Sequence, residues 1–263
     1  MKAAIFPPSQ AERLTLLLRQ FGLTTLMAEL IPRFEQAGHQ DLLPLVLEVC
    51  ELEAHARAER RIARLRAAAK LPPGKTFATF TERALPRPLV QQLRELATGR
   101  FLESAVNVLA FGLPGVGKSH AACALGHALV EAGHSVRFTP TYQLLQELLA
   151  AKRDLTLPRL LRQLDTFELL ILDDLGYVQQ TADEAEVLFT LLAERYERRS
   201  VLITSNLVFS AWDRIFKNPM ATAAAIDRLV HHAVILELAV PSYRTEHAKQ
   251  RTAAVKEAAA TAP

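Results

Sequence analysis

The chain has 263 residues, half of them hydrophobic and 22% charged, which excludes a wholly disordered polymer and supplies apolar side chains for a sizeable core. Lys plus Arg (31) against Asp plus Glu (28) leaves a net charge of +3, too mild to argue for a nucleic-acid partner unless the charge is clustered. Two cysteines, Cys50 and Cys123, exclude a disulfide scaffold and any four-cysteine zinc site.

Neither a targeting segment nor a membrane span is legible. Lys2 is followed by only a short apolar stretch before Pro7 and Pro8, and no run approaches the roughly 18 apolar residues a span needs. The expectation is a cytoplasmic protein.

In chain order, the first 70 residues read as helix. Leu14, Leu17, Leu18, Phe21, Leu26 and Leu30 recur near helical spacing, with Pro32 limiting that stretch. A second segment, residues 42–70, carries Leu45, Val49, Leu52, Ile62 and Leu65. Its latter half sets Arg57, Arg60, Arg61, Arg64, Arg66 and Lys70 against Glu59, six minus one, or +5 within 14 residues. Both a solvated helix face and a footprint for phosphates or an acidic partner fit that run.

Leu71-Pro72-Pro73-Gly74 breaks the helix, and a Pro-punctuated connector continues through Pro86 and Pro88. The expected domains are therefore a helical one over 1–70 and a larger one over 71–263. Beyond residue 106 strands and helices alternate. Residues 106–111, 136–138, 168–172, 201–204 and 234–238 read as strands, and 119–131, 142–151 and 184–198 as helices. Continuous apolar strands separated by helices predict an α/β fold, a parallel sheet covered on both faces. The Ala-rich tail from Ala253 reads as frayed.

Gly112-Leu113-Pro114-Gly115-Val116-Gly117-Lys118-Ser119 fits the phosphate-loop pattern G-x-x-x-x-G-K-[ST] at every specified position. Glycines let successive backbone N–H groups converge on phosphate oxygens, and the next helix adds its positive dipole end. Lys118 supplies a charge for the β- and γ-phosphates and Ser119 a hydroxyl for Mg²⁺. Four constrained positions match by chance on the order of once in a hundred chains of this length. Here the loop also lies between an expected strand and an expected helix.

Leu169-Leu170-Ile171-Leu172-Asp173-Asp174 is the partner element, an apolar strand that ends in two acids. Asp173 is placed to hold the Mg²⁺ shell and Asp174 to polarise an attacking water. The chain shows no arginine-rich lid after Lys118, which favours hydrolysis of ATP over transfer to a small-molecule acceptor.

These residues resemble the AAA+ ATPases, and within them the IstB-like transposition helpers, relatives of the DnaC helicase loaders. The resemblance covers most of the chain. It rests on the phosphate loop followed by His120, Leu172-Asp173-Asp174-Leu175-Gly176, and Glu194-Arg195-Tyr196-Glu197-Arg198. It continues through Ile203-Thr204-Ser205-Asn206, Phe209-Ser210-Ala211-Trp212, Asp227-Arg228-Leu229-Val230-His231-His232-Ala233 and Ser242-Tyr243-Arg244. The likeness implies that Asn206 is the polar sensor of the attacking water. It implies that Arg228 is an arginine finger for a neighbouring subunit, where the sequence by itself offers an ordinary surface arginine. Arg244 matches a tail that contacts nucleotide or a neighbour, although Pro241 stands where Glu is more usual. His120 is grouped with the nucleotide-binding residues. Only 25 residues (263 − 238) follow Leu238, too few for a full helical lid.

By that resemblance the expected function is ATP-dependent binding and assembly on DNA, duplex and largely sequence-independent, in aid of an insertion-sequence transposase held by the N-terminal domain. ATP and Mg²⁺ are the implied cofactors, and self-association is the implied assembly. A DnaC-like helicase loader is the alternative, and a nucleotide-gated binding module with negligible hydrolysis a third. His231 and His232 are expected to be buried or interface histidines rather than metal ligands, because chain neighbours point apart and no further ligand is spaced for them. Trp212 and Cys123 are expected in the core.

Overall fold

The computed structural model describes residues 9–80, 85–176, 180–208, 211, 212, 215 and 219–243. The chain divides into two compact units, Met1–Ala63 and Arg64–Pro263. The division falls inside a helix, seven residues ahead of the break expected from Pro72.

The first unit holds α1 (Gln10–Gln20), α2 (Thr24–Ala37) and the start of α3 (Leu43–Ala69). Ser9 and Glu12 cap α1 reciprocally, each side chain bonded to the other's backbone N–H. Leu14, Leu18 and Leu47 are its buried centre, with Met27 and Leu30 packed against them. Pro32 does not end its helix: α2 runs through it and stops at Gly38, whose left-handed backbone (φ 75°) is the actual terminator.

Much of the basic run is answered within the chain. Arg57 and Arg60 both bond Glu53, and Arg66 grips Glu131 with two nitrogens. Such exposed pairs contribute little to stability, but they fit the solvated-face reading for these three cations.

In the second unit, Leu65 and Ala69 of α3 already belong to the core, which is why the compact boundary precedes Pro72. The connector is also less irregular than its prolines suggest. Pro86 caps and Pro88 opens α4 (Arg87–Leu96), which buries Leu89, Leu93 and Leu96 at helical spacing. Then come β1 (Asn107–Phe111), α5 (Lys118–Glu131), β2 (Val136–Pro140), α6 (Thr141–Arg153), α7 (Leu157–Asp165), β3 (Leu169–Leu175), α8 (Ala182–Arg195), β4 (Ser200–Ser205), α9 (Pro219–Val230) and β5 (Ala233–Glu237). All five expected strands are present, and α7 is an element the sequence reading did not anticipate.

The sheet is wholly parallel, in the order β2-β3-β4-β1-β5. Alternation along each strand feeds two cores. Leu109, Phe111, Leu170, Leu172, Val201 and Ile203 pack with α6, α8 and α9 on one face. Val108, Ala110, Leu169, Ile171 and Leu202 pack with α4 and α5 on the other. Trp212 and Cys123 are both fully buried, as expected. Burial pushes the Cys123 thiol up to about 12, so it is no nucleophile.

A buried arginine ties the sheet to its helices. Arg195 donates to the carbonyls of Leu164, Phe167 and Ser200, joining the ends of α7 and α8 to the start of β4. Burial pulls its pKa down to about 10, still far enough above neutrality for the guanidinium to stay charged.

Candidate active site

Parallel order makes every strand deliver its carboxyl end to the same rim, and β1, β3 and β4 are adjacent there. The phosphate loop leaves β1 after Phe111. At Gly112 a Cβ would lie 2.6 Å from the Leu238 carbonyl oxygen, so only glycine permits this approach. Gly117 caps α5 with φ 98°, a left-handed backbone that turns the chain into the helix. Tyr243 N–H donates to Gly115 O (3.1 Å), fastening the segment after β5 to the loop.

Lys118 opens α5 and is 6% exposed. Its ammonium donates to Gly112 O (2.8 Å) and Leu113 O (3.0 Å), so the cation is held over the loop by the loop's own carbonyls. Ser119 follows in the first turn, half-buried, and Leu113 and Pro114 are exposed at the loop's tip while Val116 anchors it in the core. His120 faces the other way. Its Nε2 lies 3.2 Å from Thr76 O and 3.1 Å from Thr79 Oγ1, and its ring sits 5.1 Å from Phe80. It therefore joins α5 to the connector, whose Phe80 also lies against Gly117 of the loop.

At the end of β3 the register against β4 shifts between Leu172 and Leu175. Such a bulge re-aims side chains. Asp174 occupies it with φ 60°, left-handed and exposed, while Asp173 stays in the rim, 9% exposed. The two acids thus diverge. Thr204 of β4, fully buried, controls both. Its hydroxyl donates to Asp173 Oδ1 at 2.6 Å and accepts from Asp174 N–H at 2.8 Å. From the β2 side, the Thr141 hydroxyl donates to Asp173 O at 2.9 Å. Thr204 was quoted within a motif but given no role; its partners lie 31 and 30 residues away, and only strand adjacency brings them together.

Asn206 is exposed one residue past β4, on the same rim. Arg228, in the last turn of α9, is partly buried, with its guanidinium 4.9 Å above the Phe189 ring of α8 and a bond to Ala224 O at 3.3 Å. Arg244, Phe209 and Ser210 lie outside the described residues, as does the tail from Ala253.

The donor types suit a hard cation. A serine hydroxyl next to the loop lysine and a carboxylate at the neighbouring strand end match the oxygen ligands of Mg²⁺. Thr204 engages Oδ1 of Asp173, so Oδ2 is the oxygen left for the water shell of a metal. Held there by Ser119 and Asp173, such a cation would supply positive charge against the phosphates.

His231 and His232 are not buried, one of the two expected settings: both are exposed in the chain, and their rings lie 4.1 Å apart instead of diverging. They sit in the turn between α9 and β5, where His232 O accepts from Asn107 N–H at 2.8 Å.

Comparison with known proteins agrees with this geometry. The family described as IstB-like ATP binding protein matches residues 17–251. Over 242 residues the chain is 45% identical to a protein of Sinorhizobium fredii described as an insertion sequence ATP-binding protein, spanning 90% of this chain and 81% of that one. It is 35% identical over 239 residues to the corresponding protein of insertion sequence IS21 from Pseudomonas aeruginosa, 90% of each chain being covered. Among solved structures, DnaI superposes with a TM-score of 0.54 at 19% identity, over 64% of this chain and 95% of that one. AMPPCP-bound DnaA from Aquifex aeolicus gives 0.55 at 17% identity, over 69% and 56%. At such identities these likenesses bear on the fold alone, which the α/β unit shares with DnaI and DnaA.

Proposed function

The chain belongs to the IstB-like ATP binding protein family, and we infer that it hydrolyses ATP while assembled on duplex DNA, in aid of an insertion-sequence transposase. The nucleotide is held by the backbone of Gly112–Gly117 and by Lys118, and Mg²⁺ by Ser119 and Asp173. Asp174 takes the proton of the attacking water and Asn206 orients it. Arg228 completes the γ-phosphate site of a neighbouring copy. The N-terminal unit carries the transposase contact.

One observation carries the hydrolytic reading: the Thr204 clamp that separates the two acids. Asp173 is held inward on the sheet rim, where a metal shell belongs. The bulge turns Asp174 outward with its side chain exposed, as a general base requires access to water.

Sizing and phosphate release, with ATP, ADP or no nucleotide and each with and without duplex DNA, test this reading. The expected outcome is an ATP-dependent assembly on DNA and turnover that requires Mg²⁺. Binding without turnover would reduce the protein to a nucleotide-gated module. For the partner contact, removing residues 1–63 keeps Leu65 and Ala69 in their core and should abolish transposase capture while ATP still binds.

A further inference from the structure

At the other end of the sheet from the nucleotide rim, three side chains with metal-ligand chemistry converge. His231 and His232 occupy the turn between α9 and β5, and Glu197 the turn between α8 and β4. One ligand atom of each lies within 4.8 Å of the others. His231 Nδ1 is 3.9 Å from Glu197 Oε1 and the two imidazole centroids are 4.1 Å apart. We propose that Glu197, His231 and His232 form a binding site for a borderline divalent cation of the Zn²⁺ class, separate from the nucleotide's Mg²⁺.

The donor set decides the class. Two imidazoles and a carboxylate suit Zn²⁺ and its neighbours, while Mg²⁺ takes oxygen ligands. Tetrahedral bonds near 2.0–2.2 Å put ligand atoms about 3.3 Å apart, so a closure of about 1.5 Å or less is needed. All three side chains are exposed and have the freedom to make it. Their backbones are already fixed. Asn107 N–H holds the carbonyl of His232, His231 N–H donates to Asp227 O, and Arg198 and Arg199 N–H donate to Arg195 O on either side of the Glu197 turn. Glu197 itself sits at φ 56°.

An outer partner is present as well. The Tyr196 hydroxyl lies 3.0 Å from His231 Nδ1. The same hydroxyl bonds the Glu197 side chain, so it lies against two of the three proposed ligands.

The site has a mechanical consequence. It joins the turn after α8 to the turn after α9, and α9 carries Arg228 three residues before His231. Phosphate loop and cation site lie at opposite ends of the five-residue β1, roughly 16 Å apart. A bound ion therefore pins the helix of Arg228 without touching the nucleotide.

The test uses the full-length protein in buffer containing excess Mg²⁺, titrated with Zn²⁺ by calorimetry. One equivalent should bind, and His232→Ala and Glu197→Gln should each weaken it about 10-fold or more. Lys118→Ala should bind Zn²⁺ as the wild type does. Co²⁺ added to the wild type should give the intense visible absorption of a tetrahedral centre, a readout that needs no variant to fold. No uptake by the wild type, or equal uptake by both site variants, overturns the proposal, as does a Co²⁺ spectrum that remains octahedral.

Discussion

Thr204 donates its hydroxyl hydrogen to Asp173 Oδ1 at 2.6 Å while its oxygen accepts the Asp174 N–H at 2.8 Å. A single side chain of β4 thereby fixes the carboxylate of one acid and the backbone of the next. The distances decide its importance. The bond to Asp173 is short, buried and charge-assisted, about twice as strong as a neutral one, and the bond from Asp174 is part-buried.

Thr204→Val keeps the shape and removes the hydroxyl. The Asp173 carboxylate loses its donor and the bulge loses an acceptor, so stability should fall by about 1–3 kcal/mol. Turnover should fall tenfold or more, with ATP affinity measured in the absence of Mg²⁺ little changed. Thr204→Ser should recover most of the rate. A valine variant as active as the wild type would remove Thr204 from the mechanism.

Lys118→Ala removes the side-chain cation that the loop holds through Gly112 O and Leu113 O. Calorimetry should show weakened ATP binding, and every ATP-dependent assembly should disappear. The fold should persist, because the loop remains anchored through Val116 and the Tyr243 N–H bond to Gly115 O.

Asp174→Asn preserves size and leaves the backbone bond to Thr204 intact. It loses the charge that, on the proposed reading, accepts the proton, a role worth about 10²–10⁴ in rate. ATP should still bind and assemblies on DNA should persist longer. Phosphate release at the wild-type rate would show that Asp174 is not the general base.

Strands and phosphate loop were legible because their signals are local. Leu169–Leu172 and Val201–Thr204 are continuous apolar runs that only a doubly covered strand accommodates, and the loop's glycines sit at fixed spacing. The features that escaped depend on distant contacts or on competing local signals. Pro32 suggested an end to α2, yet the helix continues to the left-handed Gly38. Pro86 and Pro88 looked like connector but initiate α4. By contrast α7, though only nine residues long, sets Leu157, Leu160, Leu161 and Leu164 at i, i+3, i+4 and i+7 against the core, a local helical signal that the sequence does carry. The bulge at Asp174 and the roles of Thr204 and Glu197 arise from pairing across about 30 residues, which no local pattern encodes.

Arg195 tests the architecture rather than the chemistry. Arg195→Ala leaves the carbonyls of Leu164, Phe167 and Ser200 without their donor in a buried setting. Each such orphan costs about 1–3 kcal/mol, so the three together should lower stability by at least about 3 kcal/mol in denaturant unfolding. Arg195→Lys, which cannot fork to three acceptors, should fall between. A loss under about 1 kcal/mol would mean that water replaces the guanidinium at little cost.

Arg228 rests against Phe189 within its own chain, 4.9 Å from the ring centroid, and bonds Ala224 O. Acting as a finger, it leaves that ring for the γ-phosphate of a neighbouring copy. The cost is small, since a partly exposed cation–π contact contributes about 0.5–1 kcal/mol. An arginine finger supplies about 10³–10⁵ in rate, or 4–7 kcal/mol, in other phosphate-loop enzymes. On the proposed reading, the cost of leaving Phe189 is small beside the transition-state stabilisation that a finger supplies. Arg228→Ala should bind ATP nearly normally and hydrolyse it very slowly even with DNA, with little loss of stability. Its trans geometry permits a sharper test. Lys118→Ala retains a working finger and Arg228→Ala a working pocket, so mixing the two inactive proteins should restore turnover at interfaces that combine them. Mixed oligomers that form and remain as inactive as their parents would exclude a finger acting across the boundary, and would leave Arg228 as a residue that fastens α9 to α8.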